Sequence, residues 1–279
     1  MKRPVERKGT LILATLCQNG VLICADQGLV ASDKAGTYTL VSNSERKIFR
    51  LTENVVFTAC GSIRFAESDN STELFNAIEI VRDYFAKQEF DNTDRFWKHL
   101  EDEVIGSFNQ NLIVGKDIDD WPLEEADEDK ILMRLIFFFM DEARRVFLAE
   151  LHFRYVRQIP VEVSIKSEKS WFRGLIYANG HTTLLRKISD GDKALQDIAS
   201  HPLVRMFLSG RTEPKTIRLQ HAKDFCEIIM KASKERLADT WVSSEFNCEL
   251  LNGHIRFVPL EKVPIVKNTK LSNRKKRRR

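Results

Sequence analysis

The sequence predicts an α+β fold, a four-layer sandwich in which two antiparallel sheets lie between two layers of helices. The predicted elements run in the order strands, two helices, strands, helices, strands. Two strands, at 21–25 and 135–140, are continuously apolar, as expected of strands that are covered on both faces. No linker rich in glycine, proline or serine divides the chain, so we expect one domain over residues 10–269.

The first part of the chain is predicted to form short strands, at 10–17, 21–26, 37–41, 47–51 and 55–59. Between the first two, the pair Asn19-Gly20 is the signal of a tight hairpin turn. Two helices follow, because apolar residues recur at helical spacing. The second helix spans 94–112, and the first carries one apolar stripe formed by Leu74, Ile78, Val81 and Phe85.

The second half of the chain is predicted to return to strands and then to helices. Strands are expected at 131–140, 145–155, 161–165 and 175–178. A helix begins near Asp192, a longer helix covers 219–237, and the last strands lie at 246–251 and 254–259. These helices supply the second covering layer that the buried strands require.

The composition indicates a soluble protein of the cytoplasm. The 279 residues are 43% hydrophobic and 30% charged, as in ordinary globular proteins. No apolar run reaches the length of about 18 residues that a membrane span needs, and no segment resembles a signal peptide. The cysteines are odd in number and include no CxxC pair, so we expect reduced core residues without a disulfide framework or a zinc site. They are Cys17, Cys24, Cys60, Cys226 and Cys248.

Charge is distributed unevenly along the chain. The net charge is +4, but the tail at 270–279 holds seven basic residues and no acid, and residues 1–8 add +3, so the body carries about −6. A nucleic-acid-binding domain is therefore disfavoured, and nucleic acid is expected to contact at most the basic tail, which repels itself into disorder. Residues 117–129 hold eight acids but lack the glycine and spacing of an EF-hand, so we expect a solvated insertion.

The pair Gly9-Thr10 is the main functional signal. A threonine at a new N-terminus combines a hydroxyl nucleophile with its own α-amine, whose reference pKa is about 7.7 to 8.0, as the base. We therefore predict that residues 1–9, here called the leader, form a propeptide that is cleaved after Gly9.

An N-terminal threonine needs a cation that tunes its amine and hydroxyl and an anion that orients the cation. Lys47 and Asp26 fit these roles, because the predicted hairpin returns Asp26 to the end of the sheet that holds Thr10. Gly61 closes a strand and is expected to precede a helix, where its N–H would face a developing oxyanion. The alternatives are an ordinary ion pair or unpaired surface charges for Asp26 and Lys47, and a plain turn glycine for Gly61.

These residues, taken as a set, resemble the opening of proteasome β-subunits and bacterial proteasome-like peptidases, which are N-terminal-nucleophile hydrolases. The similar stretches are Gly9-Thr10, 19–26 (NGVLICAD), 46–49 (RKIF) and 58–61 (TACG). The resemblance implies that Thr10 attacks, Lys47 tunes, Asp26 orients Lys47 and the Gly61 N–H binds the oxyanion. It also implies the sandwich fold of this family.

The second half matches the family less closely. The serine-glycine pair of the family corresponds to Asn179-Gly180, which the resemblance assigns to substrate binding. Asp239 stands at the position of a family aspartate, but Val242 replaces the serine three residues on, with Ser243 just beyond as the substitute. Two further departures are Gly28, where many members have arginine, and a long loop at 29–44. Isolated histidines, including His152 and His181, are weaker candidates.

The first hypothesis is a threonine peptidase that needs no metal or cofactor, because no metal-ligand or phosphate-binding motif is present. The resemblance implies homo-oligomeric rings acting on peptides or unfolded proteins, an ATP-dependent unfoldase as partner, and no membrane partner. The second hypothesis is a structural ring subunit that keeps its leader and does not hydrolyse. The third is an N-terminal-nucleophile amidase that acts on small amides.

Overall fold

The structure is a computed structural model that describes residues 5–8, 10–32, 38–67, 72–117, 121, 130–156, 159–166, 172–237, 242–243 and 245–259. The expectations for Gly9, Asp239, the tail at 270–279 and most of the acidic segment lie outside these residues. Within them, no helix is long and apolar enough to cross a membrane.

The strands and helices of the described residues are numbered in chain order. The strands are β1 (Val5–Lys8), β2 (Leu11–Cys17), β3 (Gly20–Asp26), β4 (Leu29–Ser32), β5 (Tyr38–Ser42), β6 (Ile48–Thr52), β7 (Val55–Gly61), β8 (Arg64–Ala66), β9 (Glu73–Asn76), β10 (Ile131–Met140), β11 (Val146–Val156), β12 (Ile159–Lys166), β13 (Phe172–Arg173), β14 (Ile176–Gly180), β15 (Phe246–Asn252) and β16 (Phe257–Val258). The α-helices are α1 (Ala77–Lys87), α2 (Asp94–Leu112), α3 (Thr183–Ser189), α4 (Gln196–Ser200), α5 (Pro202–Ser209) and α6 (Leu219–Arg236).

Three sheets of four or five strands form the framework. The Thr10 sheet has the order β14-β2-β3-β15, and the aromatic sheet has the order β12-β11-β10-β7-β6. The leader sheet, in the order β5-β4-β1-β8-β9, was not predicted. All strand pairs in these sheets are antiparallel. The predicted mixture of antiparallel sheets and helices is confirmed, but the number of sheets was underestimated.

Two hydrophobic clusters hold the sheets and helices together. One cluster joins α1 and α2 to one face of the aromatic sheet through stacked and edge-on rings, including Phe85, Trp97 and Phe137. The other joins the Thr10 sheet to the opposite face of the aromatic sheet and to α3 through α6. The alternation of side chains along each strand explains this division, because Phe137 and Phe138 of β10 belong to different clusters.

Local capping fixes where the first two helices begin. The Asn76 side chain accepts hydrogen bonds from the backbone of Ile78 and Glu79, and the Thr93 hydroxyl accepts one from Phe96. These contacts satisfy N–H groups that have no partner within the helix. The second helix spans the predicted residues, whereas Leu74, which we assigned to the stripe of the first helix, lies on β9.

The β2–β3 hairpin brings the two ends of the predicted site together. Gly20 has φ +134°, and a Cβ there would lie 2.3 Å from the Leu251 carbonyl oxygen, so glycine is required at this turn. Ile12 pairs with Ala25 in the ladder. Asp26 therefore lies at the same end of the sheet as Thr10, as the sequence predicts.

The expectation that all cysteines are reduced is wrong for Cys24 and Cys248. These residues face each other on β3 and β15, with their Cα atoms 4.2 Å apart, and form a disulfide. Spacing could not reveal the pair, because 224 positions separate the two cysteines. Cys17, Cys60 and Cys226 are free and buried, as expected. A persistent disulfide is typical of an oxidising compartment, which does not agree with the predicted cytoplasmic location.

Reduction of this disulfide is expected to destabilise the protein by roughly 2–4 kcal/mol, because the bond closes a long loop in the unfolded chain. The measurement is urea unfolding with and without reductant. The double variant Cys24→Ala/Cys248→Ala is the control and should not respond to reductant. An equal response of both proteins would show that the bond does not form in solution.

Candidate active site

A buried ion pair lies at the end of the Thr10 sheet. Lys47 Nζ is 3.2 Å from both carboxylate oxygens of Asp26, and both side chains are 0% exposed. Lys47 also donates to the carbonyl oxygen of Gly28. The structure therefore brings together two residues that are 21 positions apart, as predicted.

The Asp26 carboxylate is also the acceptor for three backbone N–H groups. Leu11 donates to Oδ1 at 2.7 Å, while Gly28 and Ser243 donate to Oδ2 at 2.9 and 3.2 Å. One carboxylate thus ties β2, the segment after β3 and the segment before β15 to Lys47. A buried carboxylate with this many donors is held in a single orientation.

Burial lowers the pKa of Lys47 below its ordinary value, and the neighbouring negative charge of Asp26 opposes this shift. Removing the ammonium group from water disfavours its charged form, whereas the carboxylate favours it. A lysine with a lowered pKa can release or take up a proton at a pH closer to neutrality than an exposed lysine can.

Gly28 and Ser243 support the ion pair through their backbones. A Cβ at Gly28 would lie 3.0 Å from Asp26 Oδ2 and 3.1 Å from the Ser243 nitrogen, so glycine allows these groups to approach. The Ser243 side chain is buried, and its hydroxyl accepts a hydrogen bond from the Glu245 nitrogen at 3.1 Å. Ser243 therefore contacts Asp26 with its backbone.

Thr10 is buried and directly precedes β2. The peptide unit that joins Thr10 to Leu11 is held on both sides. The Leu11 N–H donates to Asp26, and the Thr10 carbonyl accepts from the His181 nitrogen at 2.8 Å. The backbone of the predicted nucleophile is thus fixed between the ion pair and the turn that follows β14.

Gly180 lies against the Thr10 backbone. It has φ +77°, and a Cβ there would lie 1.9 Å from the Thr10 carbonyl oxygen. Any other residue would push β14 away from Thr10. The close approach of the Thr10 carbonyl therefore explains why position 180 is a glycine, which the sequence alone did not show.

Gly61 ends β7, but the expectation that it precedes a helix is wrong. The next element is the strand β8, and α1 begins only at Ala77. Gly61 has φ +92° and pairs with Met133, and a Cβ there would lie 2.2 Å from the Leu132 carbonyl oxygen. Close packing against β10 thus requires this glycine, and no helix N-terminus contributes to its N–H.

Asn179 belongs to a network of polar side chains between the Thr10 sheet and the aromatic sheet. Its Oδ1 accepts from Arg134 at 2.5 Å, and its Nδ2 donates to the Tyr177 hydroxyl at 2.7 Å. Tyr177 donates to Glu150, which also contacts His152 Nε2 at 2.5 Å. We call these five residues the inter-sheet network.

Sequence reasoning missed Arg134, Glu150 and Tyr177, and gave His152 little weight. A signal was present, because Arg134 interrupts the otherwise apolar strand β10, and Glu150 and His152 lie two positions apart on β11. A charge within a strand that is buried on both faces requires a partner. The partner residues lie on different strands, so their positions along the chain gave no indication of the contacts.

Cys60 is a nucleophilic side chain close to Asn179 and Gly180. Its Sγ lies 3.4 Å from Asn179 Oδ1, to which it donates. Burial raises its pKa to about 12, although Arg134 opposes this shift. The thiol is therefore neutral and acts as a hydrogen-bond donor, not as a nucleophile.

The described residues of the site offer proton-transfer and hydrogen-bonding groups. Among the described residues, no group of three or more histidine, cysteine or acidic side chains could hold a metal ion. A buried lysine–carboxylate pair beside a threonine is suited to activate a hydroxyl group.

Comparisons with known proteins found solved structures that are similar to this chain, among them the following two. The Anbu protein of Hyphomicrobium sp. strain MC1, as a Gly-1 mutant, is 10% identical, with a TM-score of 0.46 over 86% of this chain and 80% of that chain. HslV from Trypanosoma brucei is 14% identical, with a TM-score of 0.36 over 86% of this chain and 97% of that chain. No protein-family model matches, and no curated protein matches significantly.

Replacing Asp26 by alanine is expected to destabilise the protein by about 3–5 kcal/mol, because Lys47 and three N–H groups would stay buried without their acceptor. Glu249→Ala is the matched control: it removes a carboxylate that pairs with Arg46 and Arg50 at the surface and should cost less than about 1 kcal/mol. The measurement is urea unfolding at neutral pH. Similar losses in both variants would contradict the dominant role of the buried pair.

Glu150 is expected to stabilise the protein in a pH-dependent way. Burial raises its pKa, but hydrogen bonds from His152 and Tyr177 outweigh burial and leave the pKa below the ordinary 4.5. A lowered pKa means that the stabilisation is complete above the unfolded-state pKa and is lost as the pH falls through the folded-state pKa. Thermal unfolding of wild type and Glu150→Gln should therefore differ at pH 7 and converge in acid. A constant difference would contradict the network.

Proposed function

We propose that this protein is an N-terminal-nucleophile threonine peptidase with the four-layer sandwich fold of that class, and that Thr10 becomes the nucleophile after cleavage behind Gly9. The observation that carries the proposal is the buried Lys47–Asp26 pair, whose carboxylate also binds the backbone N–H next to Thr10. A structural ion pair does not need to be connected to the backbone of a threonine. A nucleophile requires such a connection, because reaction depends on its position.

The proposed reaction uses the groups of this chain alone. The free α-amine of Thr10 takes the hydroxyl proton while the oxygen attacks the peptide carbonyl carbon, and the Gly61 N–H stabilises the oxyanion. The carbon–nitrogen bond then breaks, and the proton passes to the leaving amine. Water hydrolyses the resulting ester and restores Thr10. Lys47 stabilises the reactive protonation states and Asp26 holds Lys47 in place.

The leader supports a peptide substrate rather than a small amide. β1 pairs on one side with β4, which follows Asp26 and Gly28, and on the other side with β8, which follows Gly61. Residues 5–8 of the leader thus form an extended strand that pairs with two strands next to the site. A substrate that replaced the leader could use the same two edges by strand addition.

The remaining features of the proposal are assembly and partners. An unselective peptidase must be kept away from folded proteins, so we propose homo-oligomeric rings that enclose the sites and an ATP-dependent unfoldase that delivers substrates. Asn179 and Gly180 are proposed to lie against the bound peptide. Asp239 and Ser243 are proposed to support the catalytic group, with Ser243 acting through its backbone contact to Asp26.

A structural subunit that keeps its leader is the second candidate, and one observation favours it. β1 is the middle strand of the five-stranded leader sheet, and its removal would leave β4 and β8 without the strand that joins them. A protein that needs this sheet for folding would retain residues 5–8 and would lack a free amine at Thr10.

The proposed function predicts that Thr10→Val lowers kcat/KM for a fluorogenic peptide amide by about a thousandfold or more, because the nucleophile is lost. Thr10→Ser should keep measurable activity, since its hydroxyl can attack. The matched control is Thr15→Val, which removes a buried hydroxyl from β2, the strand that Thr10 precedes, and should keep activity.

Substrate length distinguishes a peptidase from an amidase. We expect kcat/KM to rise from a single amino-acid amide to a peptide of four or five residues, because longer peptides reach β4 and β8. Equal rates for all lengths would favour the small-amide alternative, and no hydrolysis of any substrate would favour the structural subunit.

A further inference from the structure

The inter-sheet network occupies one end of an otherwise apolar interface. On the face of the aromatic sheet that meets the Thr10 sheet, β10 contributes Arg134, Ile136 and Phe138, of which the last two are core residues. Arg134 pairs with Cys60 on one neighbouring strand and with His152 on the other. These three polar residues form a cross-strand row, and the row lies at the end nearest Thr10.

The hydrogen bonds of the network converge on the side chain of Asn179. Its Oδ1 accepts from Arg134, from Cys60 and, at 2.7 Å, from the Gly180 nitrogen, and its Nδ2 donates to Tyr177. A carboxamide oxygen has two lone pairs, which these three donors share, so it has no acceptor capacity left for another group. The amide plane of Asn179 is therefore fixed by groups from β7, β10 and β14.

Glu150 completes the network behind Tyr177. It accepts from the Tyr177 hydroxyl with one oxygen and contacts His152 with the other. Burial and the negative charge of Glu150 raise the pKa of Tyr177, so the phenol keeps its proton. The hydroxyl therefore donates to Glu150 and accepts from Asn179, and this sets the direction of both bonds.

The other end of the network reaches the Thr10 backbone. Asn179 holds the Gly180 N–H, and the next N–H, that of His181, donates to the Thr10 carbonyl at 2.8 Å. Asp26 holds the opposite side of the same peptide unit through Leu11. One side of the Thr10–Leu11 peptide thus depends on the ion pair, and the other depends on the turn that Asn179 orients.

We propose that Arg134, Glu150 and Tyr177 are positioning residues for Thr10, which act through Asn179 and the Gly180–His181 turn. A fully satisfied polar network specifies one arrangement more sharply than apolar packing does, because each bond has a preferred direction. The catalytic consequence rests on the proposed function. A nucleophile displaced by about 1 Å can lose a hundredfold in rate even when the change is remote.

The test compares Tyr177→Phe with Tyr84→Phe. Both variants remove one tyrosyl hydroxyl that makes hydrogen bonds, but Tyr84 lies on α1, where it donates to the Phe96 carbonyl at 3.2 Å. Tyr177→Phe is expected to lower kcat at least about tenfold with little change in KM, at temperatures well below both unfolding midpoints. Tyr84→Phe should leave kcat unchanged.

A second readout does not require activity. In the Thr10→Ala background, residue 10 still offers its carbonyl, and we expect hydrogen exchange of the His181 amide, followed by NMR, to be about tenfold faster with Tyr177→Phe. Glu150→Gln, which keeps an oxygen acceptor for Tyr177, should give a smaller effect than Glu150→Ala. This pair also provides the test if Tyr177→Phe does not fold.

The outcomes separate the two proposals. Faster His181 exchange in the network variants, in a protein without peptidase activity, would support the positioning network and overturn the proposed function. Peptidase activity and His181 exchange that are both unchanged in Tyr177→Phe would overturn the network and leave the proposed function intact. A loss of kcat in Tyr84→Phe as large as in Tyr177→Phe would also overturn it, because the effect would then follow from general destabilisation.

Discussion

The buried contact between Lys47 and Asp26 is the interaction on which the site depends. Two charges without solvent exposure are costly unless each is fully hydrogen-bonded, and here the carboxylate accepts from Lys47 and from three backbone N–H groups. Those donors belong to segments that are distant in the chain. The hydrogen bonds that stabilise the buried carboxylate therefore also join β2, which follows Thr10, to the segment after β3 and the segment before β15. The same contacts that stabilise the charge thus hold the backbone of the proposed nucleophile in place.

The opposite side of Thr10 is constrained by a different kind of chemistry. There the Thr10 carbonyl accepts from His181, and Gly180 leaves no room for a side chain. Directional bonds at Asn179 hold this turn, whereas the more distant part of the same interface is apolar. The interface between the two sheets is thus apolar far from the site and hydrogen-bonded close to it. Hydrogen bonds are expected close to the site because they define one arrangement of the Thr10 backbone more sharply than apolar packing does.

The sequence predicted those features that depend on local patterns. The β2–β3 hairpin follows from Asn19-Gly20, α2 follows from its apolar stripe, and the meeting of Asp26 with Lys47 follows from their places at strand ends. Features that depend on distant pairing were missed. The leader sheet joins five short strands, and the disulfide and the inter-sheet network join residues of different strands, whose contacts cannot be read from positions along the chain. Gly61 was assigned to a helix start because two short strands after it were not recognised.

The central claim is that Thr10 acts as a nucleophile with a free amine, and its most direct test is the mass and N-terminal sequence of the intact protein. Wild type and Thr10→Ala would be purified in the same way. The account predicts that wild type begins at Thr10 and that Thr10→Ala retains residues 1–9, because removal of the leader needs the Thr10 hydroxyl. Retention of the leader in both assembled proteins would contradict the account and favour the structural subunit.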